Sequence, residues 1–384
     1  MSRQSESVVF FCKFPPPHTG QTIATDLFGN LLEVKFKVRR IDTSMGFIKP
    51  EDFGWRWLKY HGAFAAHFLR QLQRLRKTLR RSDVDTLYLV GSPSVLGLFR
   101  NAVTVRAARP HVAQIVAHVH NGNYQEIFKG NIIRSFLSSY VESNIDRFIF
   151  TSSLLGRRLE SFIPEPKRAV VHNTVSEEVR CTRAEVERKI RKRKARDTFR
   201  VLYLSNMIPS KGYLDVGESV TRLQERATMP VQADFIGDWP DARNRRAFLS
   251  RVEEWGLQDV VTIHGHITDR RRIRQALLEA DAFVLPTYYP NEAQPITIIE
   301  AMNAGTPIVS TRHASIPEYV FDGENGYLVD KRAPDQIARA LRALMSTDQW
   351  AEMAQRARGT YEEMFSPEAV QQQMVDVIAG STEY

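Results

Sequence analysis

The feature that most constrains this chain is an alternation. Short apolar or β-branched runs are followed by longer stretches of helical apolar spacing, from end to end and in two series. Parallel strands need such crossovers, so the pattern builds repeated βαβ units and an α/β fold. The first series predicts strands at residues 8–12, 32–38, 86–90, 114–119, 147–151 and 169–172. The second predicts them at 200–205, 233–237, 261–265, 282–286, 307–311 and 326–329. Two parallel-sheet domains are expected, at 1–180 and 198–365, with a boundary in 176–199. A final helix over 366–384, with Val370, Met374, Val375 and Ile378 needing a surface to cover, is expected to pack back on the first domain.

At 384 residues, 43% hydrophobic and 25% charged, the chain can bury two ordinary cores. Cys12 and Cys181 stand far apart, which excludes a disulfide framework and a cysteine zinc site and favours a reducing cytoplasm. No apolar stretch approaches twenty residues, so no signal core or membrane span is expected. The protein is expected to be soluble, or peripheral at the inner face of a membrane. The net charge of +9 favours anionic partners: nucleotide phosphates, lipid headgroups or nucleic acid. The basic run 188–196 reads as a solvated linker. Trp57, Leu58, His61, Phe64, Phe68, Leu72, Leu75 and Leu79 form one apolar stripe of a basic helix. Such a helix can lie on an anionic membrane or pack on a sheet, and both readings stay open.

The most informative segment runs from Ala280 to Val309. It reads as a buried strand, a loop carrying Glu292, a helix carrying Glu300, and the next strand. Ligands of parallel sheets gather at the carboxyl ends of strands. Two glutamates eight positions apart, the second about two turns down a helix, could span a nucleotide sugar. A carboxylate can accept both hydrogens of a vicinal diol.

Glu292 and Glu300, followed by Ala301-Met302-Asn303-Ala304-Gly305-Thr306-Pro307-Ile308-Val309, resemble the Glu-x7-Glu signature of family 4 of the retaining glycosyltransferases, the glycosyl-transferases group 1 domain. The likeness continues through Ala314–Glu318 and Asp322–Val329 and covers nearly all of the second domain. It implies the GT-B architecture, two Rossmann-like domains facing across a cleft, with donor on the second and acceptor on the first. It also implies Glu292 beside the donor hexose and Glu300 on the ribose. Many members place Gly-Phe-Gly after the first glutamate. Here Ala293-Gln294-Pro295 follows, as in a bacterial polysaccharide subgroup, leaving Gln294 and Ile296 to approach the donor.

Ser205-Asn206-Met207-Ile208-Pro209-Ser210-Lys211-Gly212 places a lysine between a strand and a helix, where phosphate is met by helix N–H groups and an ammonium. It is similar to the family's Gly-Arg-x-x-x-x-Lys-Gly stretch, with Lys211 kept and Asn206 in place of arginine. Arg243, Arg245 and Arg270 to Arg272 are candidate compensating cations. In the first domain, the turn from Pro15 to Thr22 holds Gly20, similar to the family's glycine loop, and His120 falls where members keep a histidine near the donor sugar. No dinucleotide, phosphate-loop, zinc-protease or serine-hydrolase motif occurs, and Asp83-Val84-Asp85 precedes a strand instead of ending one.

The expectation is a retaining, metal-independent transferase with no cofactor beyond its UDP- or GDP-sugar donor. Its acceptor would be a glycan or lipid-linked hydroxyl, and no nucleic-acid partner is expected. The alternative is a catalytically silent nucleotide-sugar or polyanion-binding protein of the same fold.

Overall fold

The structure, a computed structural model, describes residues 6–16, 19–45, 55–81, 83–130 and 132–380. It divides into two compact units: Met1–His172 with Val370–Tyr384, and Asn173–Ala369. Pro17 and His18 of the expected glycine turn lie outside the described residues, as do the side chains of Trp57, Leu58 and His61.

The first unit holds strands β1 (Ser7–Cys12), β2 (Lys37–Asp42), β3 (Thr86–Val90), β4 (Gln114–Val119), β5 (Arg147–Phe150) and β6 (Arg168–Val170). Its helices are α1 (Gly20–Leu32), α2 (Trp55–Arg81), α3 (Val95–Ala108), α4 (Ile132–Asn144) and the short α5 (Ser153–Arg157). The sheet is parallel, in the order β2-β1-β3-β4-β5-β6. Inward residues of the strands, Val9, Phe11, Leu87, Leu89 and Ile115 among them, pack against Leu72, Leu75 and Leu79 of α2 and against α3. The lower part of the apolar stripe therefore covers the sheet.

The strand expected at 32–38 begins at Lys37 instead, because Leu32 closes the buried stripe of α1 one turn after Phe28. Strand β2 is an edge strand whose Lys37, Arg40 and Asp42 are exposed and whose Val38 and Arg39 are half-buried, so no apolar run marks it.

The second unit holds β7 (Phe199–Leu204), β8 (Val231–Ile236), β9 (Val261–Gly265), β10 (Ala282–Leu285), β11 (Ile308–Thr311) and β12 (Gly326–Val329). They form a parallel sheet in the order β12-β11-β10-β7-β8-β9. Its helices are α6 (Arg183–Arg193), α7 (Tyr213–Gln224), α8 (Ala242–Glu254), α9 (Arg270–Glu279), α10 (Ile296–Asn303), α11 (Pro334–Ala343) and α12 (Thr347–Thr360). The last helix, α13 (Pro367–Ile378), carries the chain into the first unit. There Val370, Met374, Val375, Val377 and Ile378 are buried, and Gln371 Nε2 donates to Leu31 O at 2.7 Å. In each sheet the connections reverse direction once, between β1 and β3 and between β10 and β7. Ligand sites form at such points.

Residues 173–180 pack with the second unit and not, as expected, with the first. Asn173 N donates to Gln294 Oε1 at 2.7 Å, and Thr174 Oγ1 to Phe365 O at 2.7 Å. The basic run is no linker either. Residues 183–193 form α6, started by a capping box in which Thr182 and Glu185 satisfy each other's backbone N–H. Lys189 and Arg193, four apart on its inner face, are buried. Lys189 Nζ donates to Leu277 O at 3.0 Å and Ala304 O at 3.1 Å. Arg193 Nε and Arg196 Nη2 lie 3.3 and 3.2 Å from Asp281 Oδ1, ahead of β10. Asp281 Oδ2 also accepts from Arg200 N at 2.8 Å, and its carbonyl from Trp350 Nε1 at 2.6 Å. Among the described residues no helix is long and apolar enough to cross a membrane.

Removing Asp281 would leave buried cations facing one another with no counter-charge. Asp281→Ala is expected to cost about 3–5 kcal/mol in urea unfolding. Asp281→Asn, which still accepts from Arg200 N, should cost less. Equal losses below about 1 kcal/mol would show the cluster to be solvated.

Candidate functional site of the second unit

Strands β7 and β10 are neighbours, pairing Val201 with Ala282 and Leu202 with Phe283, and this pairing brings together two loops 81 residues apart. After β7 the chain turns through Pro209–Lys211 and enters α7 at Gly212, whose φ is 84°. A side chain at Gly212 would place its Cβ 2.6 Å from Pro286 O, so glycine permits the close approach of this turn to the end of β10. Tyr288 N donates to Ser210 O at 2.8 Å and stitches the loops together.

Lys211 Nζ then sits 2.5 Å from Glu292 Oε2 and 4.9 Å from the centre of the Tyr289 ring. Glu292 is buried, and the same oxygen accepts from Thr287 Oγ1 at 3.1 Å. The ammonium thus has a carboxylate on one side and an aromatic face on another, which holds it in place without covering it entirely.

Helix α10 begins after Pro295 with no side-chain cap, so the N–H groups of Ile296 and Thr297 have no partner inside the helix. Ile296 is half-buried there. Gln294 is buried, with its Oε1 accepting from Asn173 N and its carbonyl from Asn173 Nδ2 at 3.0 Å. Its amide oxygen therefore anchors the loop.

Glu300 is 2% exposed and shares Oε1 with Arg270 Nη2 from the start of α9. Its Oε2 is sealed from solvent and has no partner. Burial pushes its carboxyl above the usual range, and Arg270 pulls it part of the way back. Of its two oxygens, one is unpartnered and the other already holds a guanidinium. Of the compensating cations considered, Arg270 is therefore committed to Glu300, while Arg243, Arg245, Arg271 and Arg272 are exposed. Asn206 is exposed as well, and its carbonyl accepts from Tyr203 OH and Ile208 N.

His120 and Gly20 lie in the first unit. Gly20 opens α1, is exposed, and is not among the glycines with positive φ. His120 stacks on His118 with ring centres 4.0 Å apart, and Phe28 of α1 lies against both. His118 Nδ1 is 2.6 Å from Tyr88 OH, and the Nε2 atoms of both histidines are sealed and unpartnered. Burial lowers His120 to about 4, and burial together with the neighbouring His120 holds His118 well below its ordinary value. Thr287, Tyr289 and His118 were not singled out from the sequence. The available signal was the cluster Thr287-Tyr288-Tyr289 directly behind a fully apolar strand.

With two six-stranded parallel sheets flanked by helices, each reversing direction once, the chain has the GT-B fold. Solved structures share it along nearly the whole length. Anabaena Alr3699/HepE, in complex with UDP, aligns with a TM-score of 0.72 over 97% of this chain and 100% of its own, at 16% identity. Sucrose-phosphate synthase from Thermosynechococcus elongatus aligns with a TM-score of 0.72 over 98% of this chain and 99% of its own, at 17% identity. Residues 185–360 match the family described as Glycosyl transferases group 1, so the second unit is a domain of that family. WcaL of Escherichia coli, assigned as a colanic acid biosynthesis glycosyltransferase, is 30% identical over 185 residues, 46% of this chain and 44% of WcaL. The chain thus matches less than half the length of that relative. A GDP-mannose-dependent alpha-(1-6)-phosphatidylinositol monomannoside mannosyltransferase of Mycobacterium tuberculosis is 24% identical over 71% of this chain and 69% of its own.

The histidine pair makes a signed pH prediction. The unfolded chain protonates these rings near pH 6.5, whereas His120 in the fold stays neutral down to about 4. In that window the unfolded state binds more protons, so stability should fall as pH drops from about 6.5 to 4. Urea midpoints at pH 7 and pH 4.5 should differ less in His120→Asn than in the wild type. An unchanged difference would place the charged imidazole in a solvated setting.

Proposed function

We propose that this chain is a retaining, metal-independent glycosyltransferase. It moves a hexose from a UDP- or GDP-sugar to a hydroxyl of a glycan or glycolipid in polysaccharide or cell-envelope biosynthesis. The observation that carries this reading is the Lys211–Glu292 pair at the β7/β10 reversal, with Glu300 on the helix that starts just after Glu292.

Lys211 and the free N–H groups of α10 meet the donor diphosphate. The unpartnered oxygen of Glu300 accepts from a ribose hydroxyl, and Glu292 lies beside the hexose. In the reaction the acceptor oxygen bonds to the anomeric carbon as the carbon–oxygen bond to the diphosphate breaks. The electron pair leaves with the diphosphate, which takes the acceptor proton on the same face. Charge develops on the leaving group, where Lys211 and the helix amides are worth most. His120, kept neutral by burial, is an uncharged hydrogen-bonding partner for the sugar on the acceptor-binding unit. The reading is supported by the glycosyltransferase names of the relatives, and HepE has also been solved with UDP-glucose.

Turnover of a UDP-, GDP- and ADP-sugar panel tests it. Binding with neither transfer nor slow hydrolysis of any donor would leave the catalytically silent reading. Lys211→Ala should lower kcat by an amount worth about 2–4 kcal/mol. Because Lys211 also neutralises Glu292, the double variant Lys211→Ala/Glu292→Gln separates the roles: recovery of kcat would mean that Lys211 serves only Glu292. Glu300→Ala should weaken nucleotide binding, whereas Glu292→Gln should act mainly on turnover. Equal effects on nucleotide affinity would contradict that division.

A further inference from the structure

The first unit has a reversal point of its own, between β1 and β3, and a cavity of about 330 Å³ opens there. That is the lower end of the ~300–1,000 Å³ range of small-molecule sites. Its wall is made by Lys13 just after β1, Thr19 at the start of α1, Ser92 and Ser94 just after β3, and Arg100 on α3. Among the described residues, Lys13 and Arg100 are the charged side chains of this lining, and no carboxylate shares it.

Arg100 lies with its guanidinium 5.2 and 5.4 Å from the centres of the Phe64 and Phe68 rings, which fixes its plane. Its Nε is sealed from solvent and has no hydrogen-bond partner. Among the described residues neither Lys13 nor Arg100 makes an ion pair. Asp42, the carboxylate that acts on the end of β1, is already used: it accepts from Phe14 N at 3.3 Å and from Ser44 N and Oγ at 2.8 and 2.7 Å. Desolvation and the Arg100 charge hold Lys13 below its ordinary value, and burial does the same to Arg100. Helices α1 and α3 both begin at this wall, at the caps Thr19 and Ser94.

Two repelling cations held together at a cavity, with no counter-ion among the described residues, are relieved by an anion. We propose that this cavity binds a phosphate group carried by the acceptor. Two full charges and two helix ends of roughly half a charge each sum to about +3. A carboxylate would leave most of that unmet, whereas a phosphate monoester carries about −1.5 to −2. The guanidinium edge suits paired phosphate oxygens, and the ammonium supplies a point charge. The word acceptor rests on the transferase reading above; phosphate binding does not.

The phosphate could sit on a soluble sugar or on a lipid. The second source has support nearby, since Val95, Leu96 and Phe99, directly after Ser94, are 42, 52 and 53% exposed, as are Ile132, Ile133 and Phe136 of α4 to a greater degree.

The test is calorimetric titration of the full chain with inorganic phosphate at fixed ionic strength. It is run in a Lys211→Gln background, which removes the lysine of the second unit's phosphate site. Saturable binding is expected, weakened at least tenfold by Lys13→Gln and by Arg100→Gln. Because Lys13 is exposed, its substitution does not endanger folding, and it carries the test if Arg100→Gln unfolds. No saturable binding, or an affinity unchanged by Lys13→Gln, overturns the proposal. Glycerol 3-phosphate and phosphatidylcholine vesicles containing phosphatidic acid then separate the sources. Binding that depends on Lys13 with the first indicates a soluble acceptor, and with the second a lipid one. Dependence with neither overturns the site. Loss of nucleotide binding in Lys211→Gln with phosphate binding intact keeps this proposal separate from the donor site.

Discussion

The pairing of β7 with β10 is the constraint on which the candidate site depends. Strands distant in sequence lie side by side because neither can satisfy its backbone alone, and their register decides what meets at each end. At the amino end the pairing sets Asp281 beside Arg200 N and under Arg193 and Arg196. At the carboxyl end it sets Lys211 against Glu292. One short ladder thus carries a charge cluster at both ends, and the two clusters differ in what surrounds them.

The difference is access. Arg193 and Asp281 are shut off from solvent at 1 and 0% exposure, and nearby Lys189 spends its protons on fixed carbonyls. Such a cluster specifies how α6 docks and is closed to a ligand by its burial. Lys211 keeps 14% of its side chain exposed, and its partner Glu292 stands just ahead of the uncapped start of α10. Buried polar atoms without a hydrogen-bond partner occur at both ends, on Arg193 and Asp281 as on Glu300, so it is the exposure of Lys211 that marks the end a ligand can enter. In the first unit the same topological reversal gathers Lys13 and Arg100, with no counter-charge among the described residues.

Much of this was legible in the sequence for identifiable reasons. Buried parallel strands read as apolar runs, and eleven of the twelve expected strands overlap the observed ones closely, because burial on both faces leaves little freedom of composition. The exception, β2, lies at an edge, where half-exposure removes the signal and a neighbouring helical stripe ending at Leu32 imitates it. The run at 188–196 misled for the opposite reason. Its composition is that of a solvated face, and only the four-residue step from Lys189 to Arg193 hinted at a buried one.

By itself, the sequence determined the alternation of elements, the parallel sheets and the residue types at their carboxyl ends, since these follow from local periodicity and from what a turn or a helix start can hold. Only the tertiary structure decided which ends meet. It brought Lys211 to Glu292, Arg270 to Glu300 and Asn173 to Gln294, and it left Asn206 facing solvent. The physical reason is that strand order and helix docking are settled by the burial of whole faces, a sum over many distant residues. The charge of a single lysine is then fixed in place by neighbours that its own segment does not contain.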